Sequence, residues 1–182
     1  MERQETEFAP IIKTTYTTHQ QKLPLLVYCD PGIDDAVMLA HALTHPRFDI
    51  VGIVCCAGNT KVENTVANAL KICELTHRQD IKVFSGANQP LHLADTPLDG
   101  VHVYGKQGLG NTQLPEPTLR AQTQNATDFA VNTIISSQTP ITLVSTAGLT
   151  DVYLTLKALK AKGQHHLANV AAISMMGGVF DI

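Results

Sequence analysis

Three observations predict an α/β fold built on an open, mainly parallel sheet. Short apolar runs of strand length alternate along the chain with longer segments whose apolar residues recur at helical spacing. Turn residues (Pro-Gly, Gly-Asn, Thr-Ala-Gly) separate each run from the helical segment after it. Three aspartates lie in the first of these turns, the edge at which open α/β sheets bind their ligands. Right-handed crossovers between parallel strands then put helices on both faces, a Rossmann-like arrangement.

Residues 1–22 are polar, Thr- and Gln-rich and aperiodic, and read as a flexible leader to an α/β domain over 23–182. The run Leu25–Cys29 is the first strand, and a helix follows from about Ile33 to His45, closed by Pro46. Asp49–Ala57 is a second buried strand. Gly58-Asn59-Thr60 opens a helix with Val62, Val66, Ala69, Leu70 and Cys73 on one face. Lys82–Phe84 is a brief third strand. From Ser85 to about Gln124 periodicity is lost and Gly, Pro, Asn and Asp abound, which predicts a lid or binding loop more mobile than the sheet. A helix bearing Ala126, Phe129, Ala130 and Thr133 leads to Pro140 and the strand Ile141–Ser145. Thr146-Ala147-Gly148 turns into a helix carrying Leu149, Val152, Tyr153, Leu156 and Leu159, which Gly163 ends. Asn169–Met175 is the last strand, followed by Met176-Gly177-Gly178.

Composition excludes several partners. The 182 residues suit one domain with a sizeable core. A net charge of −3 and scattered Lys and Arg provide no polyanion-binding surface, so no nucleic acid is expected. No apolar run is long enough to span a bilayer, so no membrane is expected either. Glu2, Glu5 and Glu7 and the lack of an apolar signal core argue against secretion. Cys29, Cys55, Cys56 and Cys73 lack zinc spacing and read as reduced thiols of a cytoplasmic protein. The glycines of Gly105–Gly110 fall in mid-loop, outside the strand–helix context of a dinucleotide site.

Chemistry concentrates in Tyr28-Cys29-Asp30-Pro31-Gly32-Ile33-Asp34-Asp35-Ala36. Carboxylates so close raise one another's pKa unless something positive lies between them. A helix N-terminus supplies part of that charge, and a hard divalent cation with oxygen ligands supplies much more. Helix capping by Asp34 and Asp35 is the plainer reading of that pair; three acids within six positions at this edge favour a site. Asn59 reads equally well as a helix cap or a site residue. Taken alone, Thr146 is a turn residue, His102 a solvated loop residue, Met176 a core residue and His165-His166 a solvated pair.

The same stretch resembles the N-terminal signature of the inosine–uridine preferring nucleoside hydrolases, D-x-D-x-x-x-D-D. Asp30, Asp34 and Asp35 match its last three acids, and Tyr28 stands where the first would be. Gly58-Asn59 resembles a second family motif. His102–Gly110 is similar to H-x-H-G-x-x-G-L/M-G, with Tyr104 for the second His; Leu143–Thr150 and Met176-Gly177-Gly178 resemble two more, in the same order. The resemblance implies hydrolysis of the N-glycosidic bond of ribonucleosides to ribose and free base, with a calcium-bound water. It implies Asp30 as general base and calcium ligand, Asp35 and the Thr146 carbonyl as further calcium ligands, and Asp34, Asn59, Met176 and His102 as substrate-binding residues.

A further calcium Asp, a neighbouring His and a ribose-binding Glu and Asn belong to the family's C-terminal half and have no counterpart here. The fold is therefore expected to be truncated relative to the family's. Association with a second copy or with the missing half is expected for the same reason. The alternative function is a nucleoside- or partner-binding remnant that keeps the sheet without the chemistry. A metal-dependent phosphatase is disfavoured, because Asp30 has no Asp two positions away.

Overall fold

Leu23–Cys29 (β1) is the central strand of a five-stranded parallel sheet, and both of its faces are buried. Leu25, Val27 and Cys29 point to one apolar layer, and Leu26 and Tyr28 to the other. This is the period of two that a strand imposes, and it explains why the run is apolar throughout. The structure, a computed structural model, describes residues 21–91, 100–110 and 112–177. The leader expected over 1–22 lies outside the described residues except for its last two positions, as do 92–99 of the expected lid and Gly178.

Ile33–Thr44 (α1) leads to Phe48–Cys55 (β2), and Val62–Leu75 (α2) to Val83–Ser85 (β3). A four-residue helix, Val101–Tyr104 (α3), precedes Ala126–Ser136 (α4) and Ile141–Ser145 (β4). Thr150–Lys162 (α5) and a 3-10 segment, Gln164–Asn169, then lead to Val170–Met175 (β5). The spatial order is β3-β2-β1-β4-β5, so the strand order reverses beside β1. Ligands bind at such a switch point.

Helices α1 and α2 cover one face of the sheet, through Leu39, Leu43, Ala69 and Cys73. Helices α4 and α5 cover the other, through Ala130, Ile134, Val152 and Leu159. Leu26, Leu143 and Ile134 are fully buried there, and each such side chain contributes about 1.5–3 kcal/mol. In β2 one extra residue shifts the register, so that Leu25 pairs with Ile50 and Leu26 with Gly52. Gly52 then lies under α4, where a Cβ would stand 2.6 Å from the Phe129 ring. Its absence lets Phe129 lie flat, stacked on Phe84 at 3.8 Å between ring centroids.

Helix α4 begins at an Asn125 cap, whose side chain accepts the Asp128 N–H at 3.0 Å. Asn125→Ala is expected to cost about 1 kcal/mol, read as a lower urea midpoint with an unchanged slope.

The described part of the long connection is tied to α2. Lys71 Nζ meets Glu116 at 3.0 Å, and one Glu74 oxygen accepts from the Thr118 N–H, the Thr118 hydroxyl and the Leu119 N–H, each at 2.7 Å. Gln122 pairs with Phe84 beside β3. These anchors join residues 38 to 45 positions apart, so no local periodicity announces them.

Strand β5 differs from the others. Beyond Val170 its residues are exposed, Ile173 and Met175 among them. Among the described residues no helix is long and apolar enough to cross a membrane.

Candidate active site

The acidic turn follows β1 directly, and two buried contacts shape it. Asp35 reaches back from the first turn of α1, and its Oδ2 accepts the Asp30 N–H at 3.1 Å. The α1 N-cap is Gly32, with no side-chain cap, so Asp35 closes the turn rather than the helix end. A Cβ at Gly32 would stand 2.7 Å from Asn59 Nδ2 and 2.8 Å from the Tyr104 ring. Glycine is what lets helix α3 and the loop after β2 close on this turn.

Asn59, after β2, completes the cluster from the neighbouring strand. Its N–H donates to Asp30 Oδ2 at 2.8 Å, and its Nδ2 donates to the Asp30 carbonyl at 3.1 Å. The N-cap of α2 is Lys61, so of the two readings open for Asn59 the helix cap is not the one observed. Gly58 backs the Asp30 carboxylate so closely that any side chain there would overlap it. Helix α2 braces these turns with two buried polar residues. Thr65 Oγ1 donates to the Cys56 carbonyl at 2.9 Å, and Asn68 Nδ2 donates to the carbonyls of Pro31 and Gln107 at 3.0 and 2.7 Å.

Thr146, after β4, borders the cluster on the other side of β1. Its N–H donates to the Tyr28 carbonyl at 3.0 Å, and its hydroxyl is buried without a hydrogen-bond partner. Asp30, Asn59 and Thr146 thus stand at the carboxyl ends of three adjacent strands, β1, β2 and β4. Asp34 is exposed at the start of α1. Met176 lies past β5, its N–H on the Ser145 carbonyl at 2.8 Å and its side chain exposed. His102 is exposed on α3, with no contact to the cluster among those described.

The electrostatics follow from burial. Asp30 and Asp35 are 6% and 3% exposed. Burial, followed by the charge of Asp35, pushes the Asp30 carboxyl up to about 7, against the pull of the Asn59 N–H. Neither described ion pair, Lys71–Glu116 or Arg78–Asp80, reaches the cluster. Two buried carboxylates beside a backbone-lined edge form a set of hard oxygen donors seeking positive charge.

Tyr104, which stands in the sequence for the motif's second His, gains a place beside the cluster, and Asn68 enters without having been singled out. The ring of Tyr104 packs on Gly32 and Gly100, and burial together with Asp34, Asp30 and Asp35 pushes its phenol up. Asn68 lies off the apolar face of α2 yet is buried, and nothing in the local sequence marks it. Tyr28 points away from the cluster into the α4–α5 layer, where its hydroxyl donates to Thr155 Oγ1 at 3.1 Å.

Fold and site together define a parallel α/β protein with a buried acidic cluster at its switch point. The family model for inosine-uridine preferring nucleoside hydrolase matches residues 25–182. The chain belongs to that family. It is 39% identical over 160 residues to the pyrimidine-specific ribonucleoside hydrolase RihA of Escherichia coli O81 (strain ED1a), covering 88% of this chain and 50% of that protein. A purine-preferring ribonucleoside hydrolase from Gardnerella vaginalis superposes with a TM-score of 0.78 at 25% identity, covering 86% of this chain and 49% of that one. A plant nucleoside hydrolase, PpNRh1, superposes with a TM-score of 0.78 at 26% identity, covering 87% and 48%. The chain therefore spans about half the length of the relatives it matches.

Proposed function

We propose that this chain carries the water-activating and ribose-binding part of a ribonucleoside hydrolase site. The observation that carries the reading is the buried Asp30–Asp35 pair, with Asn59 on Asp30, at the switch point of a sheet that belongs to this family. Cleavage brings water to the anomeric carbon through an oxocarbenium-like transition state as the base departs. Asp30 is the general base. Without metal, burial holds its carboxyl up to about 7; a positive charge beside it favours the ionised, proton-accepting form, and the Asn59 N–H fixes its orientation. Asp34, exposed beside it, bonds a ribose hydroxyl, with Asn59, Met176 and His102 as further substrate contacts.

The donors present fit calcium as part of a coordination shell: Asp30, Asp35 and the Thr146 carbonyl are hard oxygens. Among the described residues no group of three or more His, Cys, Asp and Glu side chains is arranged to hold a metal. Calcium takes about 6–8 oxygens, so water, ribose hydroxyls or further residues supply the rest. When bound, the ion lowers the pKa of a water and holds the ribose diol. The expected measurement is slow base release from inosine or uridine, well below the ordinary range of about 1–10³ s⁻¹, present with calcium and lost in chelator. No calcium-dependent release and no calcium-dependent nucleoside binding would overturn the reading.

Association belongs to the same proposal. The outer edge of β5 and its exposed Ile173 and Met175 invite strand pairing and apolar contact. A second copy, or a chain carrying the other half of the family fold, covers them. Light scattering at high concentration is expected to give a mass above that of one chain, and a monomer overturns this.

A further inference from the structure

We propose that Asp151 is a positioning residue for the acidic cluster, acting through the backbone of residues 86–87 and 57–59. Asp151 lies in the first turn of α5 and is 4% exposed. Both of its carboxylate oxygens accept the Ala87 N–H, at 3.1 and 2.9 Å. A hydrogen bond to an ionised acceptor is about twice as strong as a neutral one. The Ala87 carbonyl in turn accepts the Ala57 N–H at 2.9 Å, while the Gly86 N–H donates to the Cys55 carbonyl at 2.7 Å. Two residues beyond Ala57, the Asn59 N–H meets the Asp30 carboxylate. The turn that presents Asn59 is thus held from behind by Ala87, and Ala87 is held by Asp151.

The need for a pin follows from the topology. Strand β3 is three residues long and is the outermost strand of the sheet, with β2 on one side and the single Phe84–Gln122 bridge on the other, so its end is held by few ladder bonds. Such ends open most readily. Gly86 makes the reach possible: a Cβ there would stand 2.6 Å from Asp151 Oδ2 and 2.9 Å from its Cγ. Asp151 comes from α5, on the far side of the β1 switch point, so it couples the β4–α5 unit to the loop after β2. The coupling stands on geometry alone; its consequence for catalysis rests on the function proposed above.

The test is amide hydrogen exchange by NMR on the full chain. In Asp151→Ala, exchange at Ala57 and Asn59 is expected to speed up by about tenfold or more, while Val27 and Leu143 in the central strands stay within about twofold. Asp151→Asn keeps an oxygen for the Ala87 N–H and is expected to restore most of the protection. Gly86→Ala displaces the carboxylate from the other side, should reproduce the Asp151→Ala pattern, and replaces that variant if it fails to fold. Unchanged exchange at Asn59 when Ala87 loses protection overturns the proposal. So does a change at Asn59 no larger than that at Val27 and Leu143, which marks general destabilisation. Hydrolysis is not read in this experiment, so its failure leaves the proposed function standing, and an inactive chain leaves this proposal standing.

Discussion

Asp30→Asn is expected to abolish base release and, without metal, to make the chain more stable at alkaline pH. Loss of a general base costs about 10²–10⁴ in rate. The gain in stability follows from the same burial that suits Asp30 to its role. The free carboxyl has a pKa of 3.8, and in the folded chain it is raised to about 7. Below the lower value both states are protonated and nothing is lost. As pH rises from about 4 to 7 the unfolded chain gives up its proton more readily than the folded one, so stability falls across that window and stays lowered above it. At about 1.4 kcal/mol per unit, the loss is at most about 4 kcal/mol. Asparagine does not titrate, and its Oδ1 can still accept the Asn59 N–H. Urea unfolding in chelator at pH 5, 6 and 8 should show wild-type stability declining more steeply than that of the variant. Calcium should then stabilise the wild type and not the variant. Parallel pH profiles, or a variant weaker at pH 8, would remove the electrostatic account of the cluster.

Tyr28→Asp is expected to unfold the chain, although it restores the acid of the motif. Tyr28 is 2% exposed and fills the layer between β1 and α5, with its hydroxyl on Thr155. Truncating an aromatic side chain in a core costs about 3–5 kcal/mol. A buried carboxylate without its full set of partners adds about 1–3 kcal/mol, and Asp151 stands one turn before Thr155 on the same helix. The sum rivals the whole stability of an ordinary domain, about 5–15 kcal/mol. Tyr28→Phe keeps the ring, loses only the hydrogen bond, and should cost about 1 kcal/mol. The two variants are compared by near-UV circular dichroism and urea titration. A cooperative transition for Tyr28→Asp close to that of the wild type would show that the position tolerates an acid in this fold.

The family expected from the motifs is the one found over residues 25–182, and the alternation of strands and helices was legible almost to the residue. Helix α1 ends at Thr44, one position before the expected His45, and β1 starts at Leu23, two before the expected Leu25. These features are local. A strand, a helical face and a Pro-Gly turn each declare themselves within about ten residues, because backbone geometry sets the period at which side chains repeat. The crowding of Asp30, Asp34 and Asp35 is local too, and by itself it predicts a cluster that wants positive charge.

What each carboxylate touches was decided only by the tertiary structure. Asn59, ambiguous as a cap in the sequence, meets Asp30 across 29 positions, and Lys61 caps α2 instead. Asn68 braces Pro31 across 37, Asp151 holds Ala87 across 64, and Tyr28 meets Thr155 across 127. Crossover connections bring such pairs together at adjacent strand ends, and no periodicity within one element records which side chain will stand opposite. The sequence by itself determined the elements, the acidic turn and the family; packing α2 and α5 against the two faces of β1 decided which acid is buried, which is oriented and which meets solvent.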